Sequence, residues 1–250
     1  MYALCILLGI IVALRIGALR FENHGGERTL VFDIAIYAIP SGIIGGRLYH
    51  VATSPDAYFG ANGRVGNIFK IWEGGMGIWG AIALGSLVAF IVYRRREDRP
   101  PFSLFADSLA PAIVVAQAIG RWGNWFNGEL FGRPLHRWWG LEIPIESRPH
   151  GFENFATFHP VFLYESIWCI VIAIALVLWE RRRILAPGSI FAGYIFLYCL
   201  GRAYFEQLRV DQAHLFLGNR VNFWVALVIA IASLAWLLKK NPRSTQNQKK

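Results

Sequence analysis

Residues 221–238 read VNFWVALVIAIASLAWLL, eighteen positions without a charged side chain, closed at once by Lys239 and Lys240. About 20 mostly apolar residues suffice to cross the hydrocarbon core of a bilayer as a helix. Six further blocks of this kind precede it, at about 2–20, 30–52, 74–93, 104–121, 159–180 and 187–205. The strict alternation of a β-barrel strand is absent, and lipid tolerates no exposed irregular backbone, so the blocks are expected to be helices. The composition agrees: 55% of the 250 residues are hydrophobic and 16% charged, against about a quarter charged in a soluble domain.

The net charge of +9 is informative through its placement. Arg20 and Arg28 follow the first block, Arg94-Arg95-Arg96 and Arg99 the third, Arg181-Arg182-Arg183 the fifth, and Lys239, Lys240, Arg243, Lys249 and Lys250 the seventh. Short loops rich in Lys and Arg stay in the cytoplasm, and alternation of the helices puts all four on one side. The pattern predicts an all-α polytopic membrane protein: seven spans over residues 1–238, N-terminus outside, C-terminus cytoplasmic. The basic runs sit at span ends, which excludes a nucleic-acid reading. Residues 122–158, with Trp122, Trp125, Trp138 and Trp139, are expected to form a small extracytoplasmic head at headgroup level, where tryptophan concentrates. Residues 239–250 read as a basic, disordered cytoplasmic tail. Cys5, Cys169 and Cys199 lie within predicted spans and offer no disulfide framework. The first block lacks the basic leader and cleavage site of a signal peptide.

Charges inside the spans demand explanation, because each costs at least about 2.5–3.5 kcal/mol at mid-helix. Arg47, Arg121, Arg202 and Arg209 are such charges. Snorkelling at a helix end suits Arg209 and Arg47; Arg121 and Arg202 have polar companions at helical spacing. Tyr198, Arg202, Glu206 and Arg209, at steps of four, four and three, fall on one helix face. A Glu206–Arg202 pair is open to a purely structural reading, but Arg209 then leaves positive charge for an anionic guest. Gly120, Arg121, Gly123, Asn124, Asn127, Gly128, Glu129 and Gly132 form a second cluster. Its glycines predict close backbone approach, and its planar guanidinium suits phosphate oxygens. A third, Trp72-Glu73-Gly74-Gly75-Met76-Gly77-Ile78-Trp79, reads as a tight re-entry into the third span. His159-Pro160 opens the fifth, with Tyr164 and Glu165 after it, and Pro160 suits a helix start.

Gly120-Arg121-x-Gly123-Asn124-x-x-Asn127-x-Glu129-x-x-Gly132 resembles the signature of the prolipoprotein diacylglyceryl transferases. Gly45-Gly46-Arg47, Trp72-x-Gly74-Gly75-Met76, His159-Pro160-x-x-x-Tyr164-Glu165 and Tyr198-x-x-x-Arg202-x-x-x-Glu206-x-x-Arg209 follow in family order, and the 71–79 wording resembles actinobacterial members. The resemblance covers nearly the whole chain. It implies a bacterial cytoplasmic-membrane enzyme, without metal or organic cofactor, that moves the diacylglyceryl group of phosphatidylglycerol onto the lipobox cysteine of a preprolipoprotein. A thioether forms and glycerol 1-phosphate leaves. It implies site roles for Arg121, Asn124, Asn127, Glu129, Gly132, Tyr198, Arg202, Glu206, Arg209 and Tyr2, with Arg47, Gly75, Trp79 and His159 as further substrate contacts. Within that scheme Arg121 and Arg202 hold the phosphodiester, Asn124 and Asn127 orient the headgroup, Glu206 holds Arg202, and Tyr198 bonds lipid or thiolate. Glu129 is headgroup contact or proton acceptor. Trp79 stands where the family often has histidine, and an outer segment usually precedes the first span. The base stays open among Glu129, Glu206, His159 and an arginine field that lowers the thiol pKa. A lipid or anionic-solute transporter using the arginines only for binding is the alternative.

Overall fold

A computed structural model describes residues 1–60, 63–182, 184–210 and 215–240. The tail from 241, Arg183 and residues 211–214 lie outside the described residues, and with them the expectation of a disordered tail. All seven apolar blocks are helices: α1 (Tyr2–Asn23), α2 (Arg28–Thr53), α4 (Ile78–Arg94), α5 (Phe102–Phe126), α6 (Val161–Arg182), α7 (Ser189–Glu206) and α8 (Val221–Lys240), with a one-turn α3 (Asp56–Phe59) between α2 and α4. By length and composition α1, α2, α5, α6 and α8 can cross a membrane. The other two are α4, with 17 residues, and α7, whose apolar character is diluted by Arg202 and Glu206. The outward faces of α1 and α8 are apolar: Leu4, Leu7, Leu8 and Ile11 of α1 and Val228, Ile231 and Leu238 of α8 are exposed. A water-soluble domain keeps such contiguous patches small; lipid is their natural solvent.

The chain divides into two compact units, one formed by Met1–Arg20 with the chain from Ser103 onward, the other by Phe21–Phe102. In the first, Ala110, Val114 and Ala118 of α5 pack against Cys169, Ile172 and Leu176 of α6 and Ile190 of α7. Small residues permit close approach: a Cβ on Gly9 of α1 would lie 3.1 Å from the Ala116 carbonyl oxygen of α5. The start of α7 is fixed by buried Asp107 of α5, whose carboxylate accepts the Gly188 N–H at 2.6 Å and the Phe191 N–H at 2.8 Å. Those are orphan donors of a helix N-terminus, where an anion is favoured. Two short antiparallel ladders complete the unit, β1 (Leu141–Glu142) with β2 (Thr157–Phe158) and β3 (Leu215–Phe216) with β4 (Asn219–Arg220).

The second unit is built on α2 and α4. A Cβ on Gly45 would come within 2.4 Å of the Gly80 oxygen, and one on Gly80 within 2.2 Å of the Gly45 oxygen. The helices therefore touch backbone to backbone.

Three boundaries differ from the sequence reading; the first is that α8 runs on to Lys240, two residues into the expected tail. Helix α5 runs on to Phe126, so the head expected from residue 122 begins only after it. Helix α4 starts at Ile78 rather than 74, because Gly74 (φ +89°) and Gly75 (φ +74°) adopt a conformation that breaks a helix.

Candidate active site

The signature stretch ends α5 through a specific cap. The Gly128 N–H donates to the Trp125 carbonyl at 3.0 Å and the Glu129 N–H to the Asn124 carbonyl at 2.8 Å. Gly128 is left-handed, with φ +65°. This pair of bonds around a left-handed glycine is the Schellman arrangement. It folds the chain back so that Glu129 meets the last turn of its own helix. The Asn124 amide donates to Glu129 Oε2 at 3.3 Å and the Asn127 amide to Oε1 at 3.4 Å. The carboxylate is thus held between two carboxamides.

Gly132 then packs against two other segments. Its N–H donates to the His159 carbonyl at 2.8 Å and it bridges Arg209, while the Arg133 N–H reaches Leu208 O at 2.9 Å. A Cβ there would sit 2.8 Å from the Leu208 oxygen and 2.9 Å from Val161 Cγ2. Only glycine leaves room for this crossing, which fixes the ends of α6 and α7 relative to the signature.

Around that frame lies a network of buried charge. Glu165 of α6 is 4% exposed and Glu206 of α7 1%. Arg121 Nε approaches Glu165 Oε2 at 2.6 Å, and Arg121 Nη2 donates to the Tyr198 hydroxyl at 3.1 Å. Arg202 bridges the two carboxylates, with Nη1 at 3.6 Å from Glu165 Oε1 and Nη2 against Glu206 Oε1. Arg209 Nη1 lies 3.7 Å from Glu206 Oε1, and Arg220 Nε 2.9 Å from Oε2. A small cavity beside the network is lined by Glu165, Trp168, Cys169, Tyr198, Arg202 and Phe205. Among the described residues, neither Arg121 Nη1 nor Arg202 Nε donates a hydrogen bond to the protein. The network therefore keeps guanidinium donors in hand, and among the described residues Glu165 and Glu206 together meet four arginines. Guanidinium forks of this kind match the geometry of an oxyanion. Among the described residues no group of three or more His, Cys, Asp or Glu side chains could hold a metal ion.

A family model described as prolipoprotein diacylglyceryl transferase matches residues 1–239. The chain belongs to the prolipoprotein diacylglyceryl transferase family. It is 51% identical over 238 residues to phosphatidylglycerol–prolipoprotein diacylglyceryl transferase 2 of Streptomyces coelicolor, covering 95% of this chain and 74% of that protein. To the phosphatidylglycerol–prolipoprotein diacylglyceryl transferase of Paenarthrobacter aurescens it is 46% identical over 254 residues, covering 97% of this chain and 79% of that one. The actinobacterial resemblance read from residues 71–79 agrees with these relatives.

Several residues of this diacylglyceryl transferase sit differently from their sequence reading. Helix α7 stops at Glu206, so Arg209 is not on its face. It returns to Glu206 through a turn closed by the Gln207 N–H on Tyr204 O and the Leu208 N–H on Phe205 O. Close backbone approach does not extend to Gly120 or Gly128, beside which a Cβ would meet nothing within 4 Å. Tyr2 lies against Gly123, where a Cβ would come 2.7 Å from its ring. His159 Nδ1 faces the Tyr164 hydroxyl at 3.2 Å, which also accepts the Trp139 indole N–H at 3.1 Å. Burial holds the His159 pKa below the ordinary histidine value.

In the other unit Arg47 is buried rather than snorkelling. Its Nε donates to Ile68 O at 2.8 Å, Nη1 to Gly74 O at 2.6 Å and Gly75 O at 2.8 Å, and Nη2 to Asn67 O and to Lys70 O at 3.2 Å. A guanidinium has five N–H donors, and here five carbonyls take them. Gly75 supplies one of those carbonyls, with space beside it for a hydrogen only: a Cβ would meet Arg47 Nη1 at 2.8 Å. Trp79 occupies the first turn of α4, half-exposed.

Sequence reasoning passed over two members of the network. Glu165 was read only as part of the His159 motif, although a lone carboxylate in an apolar block calls for a cationic partner as much as a lone arginine does. Arg220 stands just before the seventh block, where a charge at a span end is unremarkable.

Proposed function

We propose that this chain transfers the diacylglyceryl group of phosphatidylglycerol to the lipobox cysteine of a preprolipoprotein, and that the network around Arg121 and Arg202 is where it happens. The observation that carries the assignment of the site is that Arg121 Nη1 and Arg202 Nε donate no hydrogen bond to the described residues, on two arginines otherwise paired with Glu165, Glu206 and Tyr198. Arginines so held are preorganised, and preorganised donors stabilise charge that develops during reaction.

The charge balance suits the site. A phosphodiester carries one negative charge and a thiolate another. The thiolate attacks the glycerol carbon bonded to phosphate through oxygen, a C–S bond forms and the C–O bond breaks. The electron pair leaves with the bridging oxygen, so the thioether is neutral and the departing glycerol 1-phosphate carries both charges. Negative charge thus moves from sulfur to phosphate as the bond breaks. Arg121 and Arg202, aimed at the phosphate, bind the transition state more tightly than the lipid, which is the requirement for catalysis. The positive field of Arg121 and Arg202 lowers the thiol pKa toward the thiolate, the reactive form, and the thiol proton passes to water. Asn124, Asn127 and Glu129 orient the glycerol headgroup. Tyr198 turns its hydroxyl to lipid or sulfur, and Glu165 and Glu206 keep the two forks in register. Arg209 and Gly132 brace this wall, as do Tyr2 and His159. Arg47 and Gly75 shape the loop before α4, which Trp79 begins.

The setting we infer is the bacterial cytoplasmic membrane, crossed seven times. The N-terminus and the 127–158 head lie outside; the arginine-rich ends of α4 and α6 and the lysine pair of α8 lie in the cytoplasm. No organic cofactor or metal enters the scheme. The purified chain in phosphatidylglycerol liposomes, given a lipobox peptide, is expected to release glycerol phosphate only when the peptide carries its cysteine. Lipid movement without release would instead identify a transporter.

A further inference from the structure

We propose that Arg220 is a positioning residue for the transfer, clamping the second oxygen of Glu206 so that the first holds Arg202 against the lipid phosphate. The inference rests on the function proposed above. Arg220 sits immediately before α8 (Val221–Lys240), where a helix N-terminus favours anions and repels cations. A guanidinium there is locally unfavourable, so something else must hold it. It is 9% exposed, and its Nε lies 2.9 Å from Glu206 Oε2.

The sequence builds a specific device to bring it there. Residues 215–220 form a two-residue hairpin whose turn, Leu217 (φ +47°) and Gly218 (φ +77°), has the left-handed pair required to reverse a twisted ladder. The register places Arg220 opposite Leu215 and Asn219 opposite Phe216. The Gln207 amide just beyond α7 donates to Asn219 Oδ1 at 2.9 Å, and the Trp224 indole of α8 donates to Phe216 O at 2.8 Å. The hairpin is tied at both ends, so Arg220 is delivered to Glu206 with little freedom. Glu206 is fully buried, so both oxygens need partners. With Oε2 clamped by Arg220, Oε1 is committed to Arg202 and Arg209. Without the clamp the carboxylate is free to rotate and draw Arg202 away from the cavity it lines.

The test is a double-mutant cycle in the full-length protein, reconstituted in phosphatidylglycerol liposomes with a lipobox peptide and read as glycerol phosphate release. R220Q is expected to lower kcat roughly tenfold, within the span seen for directly coupled neighbours, with the peptide KM unchanged and R220K recovering part of the loss. In an E206Q background the same R220Q change is expected to have under about a twofold further effect, because its target is gone. A merely structural arginine would cost the same factor in both backgrounds, and that result, or an R220Q enzyme with parental kcat, overturns the proposal. Should R220Q fail to fold, R220K completes the cycle. A parent protein that releases no glycerol phosphate overturns the function reading itself, whereas an active parent with additive losses overturns the role of Arg220 alone.

Discussion

Arg47 and Arg202 are both arginines near the end of an apolar helix, and their surroundings are opposite in kind. Arg47 gives its donors to five backbone carbonyls of a single loop, all neutral, and is thereby used up. Arg202 shares two carboxylates with other arginines, and its Nε donates no hydrogen bond to the described residues. The first arrangement organises backbone; the second, on the function proposed above, holds a charge ready for a guest. Hydropathy registers both simply as costly charges. What separates a structural arginine from a ligand is the count of its donors against its acceptors.

The largest effect that would break this contrast is expected at Arg121 and Arg202. Arg121→Ala should lower kcat/KM by about a hundredfold or more, the range for removing one preorganised donor. Arg202→Lys should be nearly as poor, because a point charge does not replace a fork. Both are checked in the liposome assay with the amount of inserted protein measured alongside. Near-parental turnover by either variant would move the phosphate site elsewhere.

Glu165→Gln comes next. It keeps the volume and removes the charge that Arg121 and Arg202 both approach. Turnover is expected to fall roughly tenfold, as for a coupled contact in one ion-pair network, with a higher KM for phosphatidylglycerol if the two forks lose alignment. A variant that binds and turns over lipid like the parent would show that Arg121 and Arg202 need no anchor from α6.

The ranking also explains what could be read from the sequence. The seven helices were legible because hydropathy blocks are local and lipid forces buried backbone into helices. Arg121, Arg202 and Glu206 were legible because charge in an apolar run is conspicuous. Glu165 lay in plain sight, but its partners come from α5 and α7, and no spacing within α6 announces them. The helix stop at Gly128 could have been read, since Asn-Gly after an apolar helix is a cap signal. The carbonyl cage of Arg47 was beyond reach, because it depends on the path of residues 67–75 rather than on their side chains. The same holds for Arg220, which a hairpin returns to Glu206.

Arg47→Lys sharpens the contrast from the other side. A lysine carries three donors on a single nitrogen and cannot reach five carbonyls, so at least two part-buried acceptors lose their partner. Each charge-assisted bond is worth about 1.5–3 kcal/mol, and the expected loss is a few kcal/mol of stability, seen as a lower melting temperature in detergent and faster proteolysis of the 63–77 loop. Turnover per folded molecule should stay within a few-fold of the parent. A loss as deep as that of Arg121→Ala, with stability intact, would make Arg47 a ligand after all.

The smallest effect is expected at His159, whose ring faces the Tyr164 hydroxyl outside the helices. Burial lowers its pKa from 6.5, so the folded protein binds the proton more weakly than the unfolded chain does. Stability linked to this group is therefore fully present above the unfolded pKa and declines as pH falls below about 6.5. His159→Asn removes that dependence. Between pH 7 and 8 the two proteins should turn over within a factor of about three, since a neutral imidazole that stays neutral contributes no titration there. Below pH 6.5 the melting temperature of the parent should fall more steeply than that of the variant. A parental rate profile that rises with an apparent pKa in the histidine range, and is lost on substitution, would instead make His159 the thiol's base and place a titrating group where the arginine field alone has been held sufficient.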